Sequence, residues 1–146
     1  MKYKRFLYFI PAVVWMAVIF RFSAQTGNSS GSLSLDICKS IVLVFNEGIS
    51  SDNLLAHAQA LQYPIRKLAH FSEYAFLCLT WIYGFTKNEY PLNEVLMLSV
   101  AISIGWAGLD EFHQAFVPGR APAVADVLID SAGALTCNAI CWLKMR

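Results

Sequence analysis

The chain has 146 residues, 57% of them hydrophobic and 14% charged, with a formal net charge of +1. A soluble domain is nearer half apolar and a quarter charged, and a chain this short buries too little surface to hide so much apolar area from water. An ordinary soluble domain is therefore excluded, and so is a nucleic-acid partner, which calls for a basic stripe. Lipid is the solvent that remains, and the length suits one domain over residues 1–146.

The first apolar run, Phe6 to Phe22, follows Lys2, Lys4 and Arg5. Arg21 interrupts its end, and Phe22 stands where signal cleavage needs a small residue, so the run is read as an uncleaved span over about 6–23. The stretch "TGNSSGS" at 26–32 has the composition of a break. Leu33, Ile37, Ile41, Val44 and Phe45 then recur at helical spacing. They predict an amphipathic interfacial helix over about 33–48. Ser51 or Asp52 predicts the cap of a second short helix over about 52–62. Pro64 suits a helix's first turn and opens a span at about 65–85. A third span is expected at about 92–114, then a turn at Pro118-Gly119, then a fourth span at about 123–143. Each apolar core has roughly 17–25 residues, enough to cross hydrocarbon about 30 Å thick. The expected fold is all-α: a four-helix transmembrane bundle with one or two amphipathic surface helices between spans one and two.

Four spans place both termini on one side, with Lys2, Lys4, Arg5, Lys87, Lys144 and Arg146. The positive-inside rule makes that side cytoplasmic. Arg21, Lys39, Arg66, Lys67 and Arg120 then fall on the other side, nearly as many, and need a separate explanation.

Threading the chain through a bilayer gathers the polar residues at that outer end. Arg21 and Gln25 close span one; Lys67, His70, Glu73 and Tyr74 open span two. Asp110, Glu111 and Gln114 close span three, and Arg120, Asp126 and Asp130 introduce span four. Helical phase sharpens the pattern: Lys67, His70 and Tyr74 share a face, as do Asp126, Asp130, Gly133 and Cys137. A charge facing lipid at mid-membrane costs about 2.5–3.5 kcal/mol, so these groups are expected to point inward, either as an ion-pair network that locks the helices or, the favoured reading, as a ligand-binding pocket. The arginines and Lys67 suit a phosphate or carboxylate, and Arg120 offers a bidentate fork. His70, Glu111, Asp126 and Asp130 are the candidate catalytic groups should the pocket carry out acid–base chemistry. The sequence contains no metal-binding His/Cys spacing, phosphate-cradling glycine loop or nucleophile elbow, so no metal ligand is assigned. Cys38, Cys78, Cys137 and Cys141 lack a Cys-x-x-Cys pair and read as small hydrophobes. No cofactor and no protein partner is legible.

Lys67-x-x-His70-x-x-Glu73-Tyr74, Asp110-Glu111-x-x-Gln114, Pro118-Gly119-Arg120, Asp126, Asp130 and Gly133, with "FSAQ" at 22–25, together resemble the VanZ-like family of bacterial membrane proteins. The resemblance runs from about Phe22 to Ala134. Ala121 and Ala123 depart from it, standing where relatives often carry Ser, Thr or Gly, and Asp130 stands where some carry Asn. The resemblance implies a multi-pass protein of the bacterial inner membrane and a cell-envelope role. It also implies a link to resistance to the lipoglycopeptide teicoplanin, which is raised by the member that gives the family its name. Three readings follow from residues and resemblance: a protein binding an anionic lipid-linked or lipid-like molecule, a membrane enzyme acting on such a molecule, or a structural subunit of an envelope complex.

Overall fold

The computed structural model describes residues 3–146, which form six helical segments. They are α1 Tyr3–Leu7, α2 Ile10–Ser23, α3 Gly27–Phe45, α4 Ser51–Lys87, α5 Leu92–Gln114 and α6 Val124–Met145. No strand occurs among the described residues. Lys2 and the Lys4 side chain lie outside them.

Three stretches are long and apolar enough to cross a membrane: Arg5–Ser23, Leu92–Gln114 and Val124–Met145. The first is interrupted at Tyr8 and Phe9, just ahead of Pro11 in the first turn of α2. The Phe9 ring packs against Trp81 and Phe85, with centroids 5.6 and 5.1 Å away. Outward faces carry large exposed apolar side chains such as Val13, Met97, Leu109, Phe112 and Leu128. Ser99, Ser103, Asp110, Gln114 and Asp130 are buried. Apolar outside and polar inside is the arrangement lipid contact demands.

α4 is the spine. It touches α2, α3, α5 and α6, and α6 is its most extensive partner. Tyr74 and Leu77 pack with Ile19 and Ala107, while Cys78, Ile82 and Phe85 pack with Val95 and Ala134. Gly133 sets the α4–α6 separation: a Cβ there would strike the Phe71 carbonyl and the Ala75 nitrogen. Small residues at such a crossing let helix backbones approach.

Two expectations are corrected. The second interfacial helix, expected at about 52–62, is not separate from the span expected at 65–85; both belong to one 37-residue helix that runs through Pro64. Proline removes one helical hydrogen bond, but α3 packs along α4 and the helix continues through Pro64. Gln62 Nε2 donates to the Gly31 carbonyl at 2.6 Å and to Ser34 Oγ at 2.7 Å, and Cys38 and Ala58 are wholly buried.

The break expected at 26–32 is the first turns of α3, which starts at Gly27 and ends at Phe45 instead of covering 33–48. Thr26 caps it by accepting the Ser29 N–H at 3.3 Å. Ser32 and Ser34 hydroxyls donate back to the Ser29 and Gly31 carbonyls. Serine and threonine near a helix start satisfy orphan backbone groups, so a turn-like composition here specifies a helix N-terminus.

Candidate functional site

One end of the helical assembly encloses a cavity of about 240 Å³. α4 contributes Arg66, His70 and Glu73, at i, i+4 and i+7, one face of the helix. The last turns of α5 contribute Asp110 and Gln114, and Gln114 Nε2 donates to Asp110 Oδ2 at 3.1 Å. The end of α2 supplies Ser23 and Gln25, and the loop after α5 supplies Arg120. The rest of the wall is mostly apolar, with Ile19 and Phe22 from α2, Leu33 and Ile37 from α3 and Ala69 from α4, beside Ser30 and Ser34 of α3.

Arg120 is placed by backbone, not by an acid. Its Nε donates to the Gln25 carbonyl at 3.1 Å and a terminal nitrogen donates to the Phe22 carbonyl at 3.3 Å. These are carbonyls at the C-terminal end of α2, where a cation also meets the negative end of the helix dipole. The loop is itself pinned. The Gly27 N–H donates to the Pro118 carbonyl at 3.1 Å, and Gly119 adopts φ 73°, a left-handed conformation that suits glycine. Neither Arg120 nor Arg66 forms an ion pair among the described residues. Burial, and then the Arg66 guanidinium, push the Arg120 pKa below its ordinary value. An arginine so placed stays cationic at neutral pH; Asp110, Glu111 and Asp126 oppose the shift, and Asp110 and Glu73 line the cavity with the two arginines without pairing to either.

The other acids are largely accounted for. Lys67 of α4 pairs with Asp126 of α6, and one turn further in His70 Nδ1 lies 3.4 Å from Asp130 Oδ1. The first ties α4 to α6; the second is within ion-pair reach, but His70 Nδ1 and Asp130 Oδ1 make no hydrogen bond. Asp130 is 2% exposed. Glu111 turns toward the loop and accepts the N–H of Ala123, the residue that caps α6. The Tyr74 hydroxyl and Asp110 Oδ1 are buried without a protein hydrogen-bond partner. Buried polar atoms are usually paired, so this interior holds hydrogen-bonding capacity the fold has not used.

Of the residues expected to bind a ligand, Gln25, His70, Glu73, Asp110, Gln114 and Arg120 line this cavity. Lys67 and Asp126, again with His70, line a neighbouring cavity of about 310 Å³. Tyr74, Glu111 and Asp130 are buried close by. Arg21 does not join them; it is exposed on α2 and lines neither cavity. Of the candidate catalytic set, His70 is the member that reaches the first cavity, with Asp130 behind it.

Arg66 was not among the expected ligand contacts, yet it lines both cavities. The signal was present in its i, i+4 spacing from His70. With a span expected to begin at about 65, it read as a flanking charge instead. His113 packs against Phe20, ring centroids 4.4 Å apart, and His57 is exposed with a ring nitrogen 2.7 Å from the Asn53 carbonyl. No group of three or more His, Cys, Asp or Glu side chains among the described residues is arranged to hold one metal ion.

A family model described as VanZ/LLP1 matches residues 8–145, nearly the whole chain. Comparison with curated proteins and with solved structures gave no match in either set. The motif residues that meet around the cavity and the extent of that match lead to one assignment: the chain belongs to the VanZ/LLP1 family.

Proposed function

We propose that the protein is a four-span inner-membrane protein that binds the anionic headgroup of a lipid or lipid-linked molecule at the outer leaflet. The observation that carries this reading is a pair of arginines, Arg66 and Arg120, that form no ion pair among the described residues and line one cavity with Glu73, Asp110 and an apolar stretch of wall. Two guanidinium groups suit a phosphate, and Ile19, Phe22, Leu33 and Ile37 offer a surface for an acyl chain. The inner half of α4 serves as the fourth span. Its polar residues turn to α5 and α6 while Phe76, Leu79 and Tyr83 remain exposed to lipid. Asn88 Nδ2 donates to the Arg5 carbonyl at 3.0 Å, which puts Arg5 beside Lys87 at the end remote from the cavity. Clustered positive charge there supports a cytoplasmic location for that end and for both termini.

A cavity of about 240 Å³ lies below the roughly 300–1,000 Å³ that encloses a drug-sized ligand. It suits a headgroup and not a whole lipoglycopeptide. On this reading any contribution to teicoplanin resistance acts through envelope lipid, with the antibiotic itself left unbound.

The test is lipid capture. Protein purified from membranes and reconstituted with mixed lipids is expected to retain anionic lipid over phosphatidylcholine by mass spectrometry. Arg120→Ala and Arg66→Ala are each expected to reduce that preference about tenfold, the scale of one charge-assisted hydrogen bond. Equal retention of both lipid classes by the unmodified protein would sink the reading.

One observation favours a second reading. His70 reaches the cavity with its Nδ1 side against the nearly buried Asp130, the arrangement of a general base and its orienting carboxylate. That reading expects headgroup release from a phospholipid by the reconstituted protein, abolished by His70→Ala. Absence of turnover across anionic phospholipids would leave binding as the whole activity.

A further inference from the structure

Beside the arginine cavity lies the second one, of about 310 Å³, lined by Gln59, Gln62, Tyr63, Arg66, Lys67, His70 and Asp126. Its α4 residues fall at 59, 62–63, 66–67 and 70, a single stripe at helical spacing that runs from the polar half of α4 down to the arginine cavity. Arg66 and His70 line both cavities and form their shared wall.

The two cavities differ in chemistry. The first is lined by Arg66 and Arg120, by Glu73 and Asp110, and by an apolar stretch of wall. The second has no apolar aliphatic side chain, and its Lys67 is already neutralised by Asp126. What it offers is mixed donors and acceptors. Gln62 spends its amide N–H groups on α3, which leaves its carbonyl oxygen as an acceptor. Gln59 is exposed and carries both a donor and an acceptor. Tyr63 is 70% exposed, and Lys67 Nζ sits 5.2 Å from its ring centroid. A hydroxyl group both donates and accepts, so a surface of amides, a paired lysine–aspartate and Arg66 suits hydroxyls attached to an anion. The open face of Tyr63 suits the C–H face of a ring.

Resting on the headgroup reading above, we propose that the ligand is a phosphodiester lipid whose phosphate carries a polyhydroxylated group. Its chain lies against the apolar wall, its phosphate sits between Arg66 and Arg120, and its hydroxyl-bearing group extends past Arg66 into the second cavity.

The experiment compares two lipids of equal charge. Phosphatidylmethanol has a phosphodiester and no polyol; phosphatidylinositol has the same phosphodiester and a ring of hydroxyls. Each is titrated into the full-length protein in neutral detergent, with tryptophan fluorescence or native mass spectrometry as readout and phosphatidylcholine as reference. The unmodified protein is expected to prefer phosphatidylinositol roughly five- to tenfold, the scale of one or two neutral hydrogen bonds. Gln59→Ala and Tyr63→Ala, both at exposed positions, are expected to cut that preference below about twofold with phosphatidylmethanol binding unchanged. Arg120→Ala is expected to weaken both anionic lipids alike. Equal affinity of the unmodified protein for the two anionic lipids, or an intact preference in both exposed-site variants, overturns the polyol proposal while the anion reading stands. Failure of either anionic lipid to bind better than phosphatidylcholine overturns both.

Discussion

Arg66 and Arg120 reach one cavity from a helix and a loop, and no carboxylate among the described residues pairs with either. Glu73 and Asp110 line the same cavity, so an anion that enters competes with two carboxylates for the pair. If one phosphate engages both, their contributions to binding are coupled. In a double-mutant cycle on anionic-lipid affinity, Arg66→Gln and Arg120→Gln are expected to depart from additivity by at least about 0.5 kcal/mol. Strict additivity would place the arginines on separate ligands.

The Lys67–Asp126 rung is mostly enclosed, with side chains 24% and 16% exposed. Removing one partner strands a charge. Lys67→Met alone or Asp126→Leu alone is expected to cost about 2 kcal/mol, less than the 3–5 kcal/mol of a fully buried pair. The double variant, which removes both charges, is expected to lie closer to the unmodified protein than either single change. Thermal unfolding in detergent reads the order of the three.

Gly133 and Gly105 make a controlled pair. A Cβ at Gly133 meets α4 backbone, whereas one at Gly105 meets nothing within 4 Å. Gly133→Val is expected to destabilise by about 2 kcal/mol or more, because the helix backbones must separate. Gly105→Ala is expected to be neutral or to stabilise by up to about 1 kcal/mol, the difference in helix propensity. The same unfolding assay distinguishes them.

Arg120 also fastens the end of α2 through the Phe22 and Gln25 carbonyls. Lysine keeps the charge and loses the fork. Arg120→Lys is expected to loosen the loop that joins α2 to α3 by about 1 kcal/mol. Faster amide hydrogen exchange at residues 24–30, with the α5–α6 core unchanged, is the signature.

The fold and site were legible in the sequence wherever local pattern and tertiary packing agreed. Residues Leu92–Gln114 form a helix because a long apolar run between Pro91 and the Pro118-Gly119 turn admits little else. His70, Asp110 and Arg120 converge on one cavity, as expected from polar residues placed at one end of apolar spans. Patterns were misleading where a distant contact outweighed a local preference. Pro64 reads as a helix start, yet Gln62 and Ala58 are held by α3, and the helix passes through. "TGNSSGS" reads as a break, yet Thr26 caps and the Pro118 carbonyl receives the Gly27 N–H. Arg66 was hidden by the first of these: once α4 is continuous, it sits in mid-helix facing the cavity. Arg21 shows the reverse, since proximity to the polar end along the chain does not fix the face a side chain takes.

The unbroken α4 has a mechanical consequence. At about 1.5 Å per residue its 37 residues make a rod about 55 Å long, well beyond the thickness of hydrocarbon. Gln59 and Tyr63 ride on the same rod as Arg66, His70 and Glu73, while Arg120 and Asp110 are mounted on other elements. A change in the tilt of this helix would therefore move Arg66, His70 and Glu73 together relative to Arg120 and Asp110.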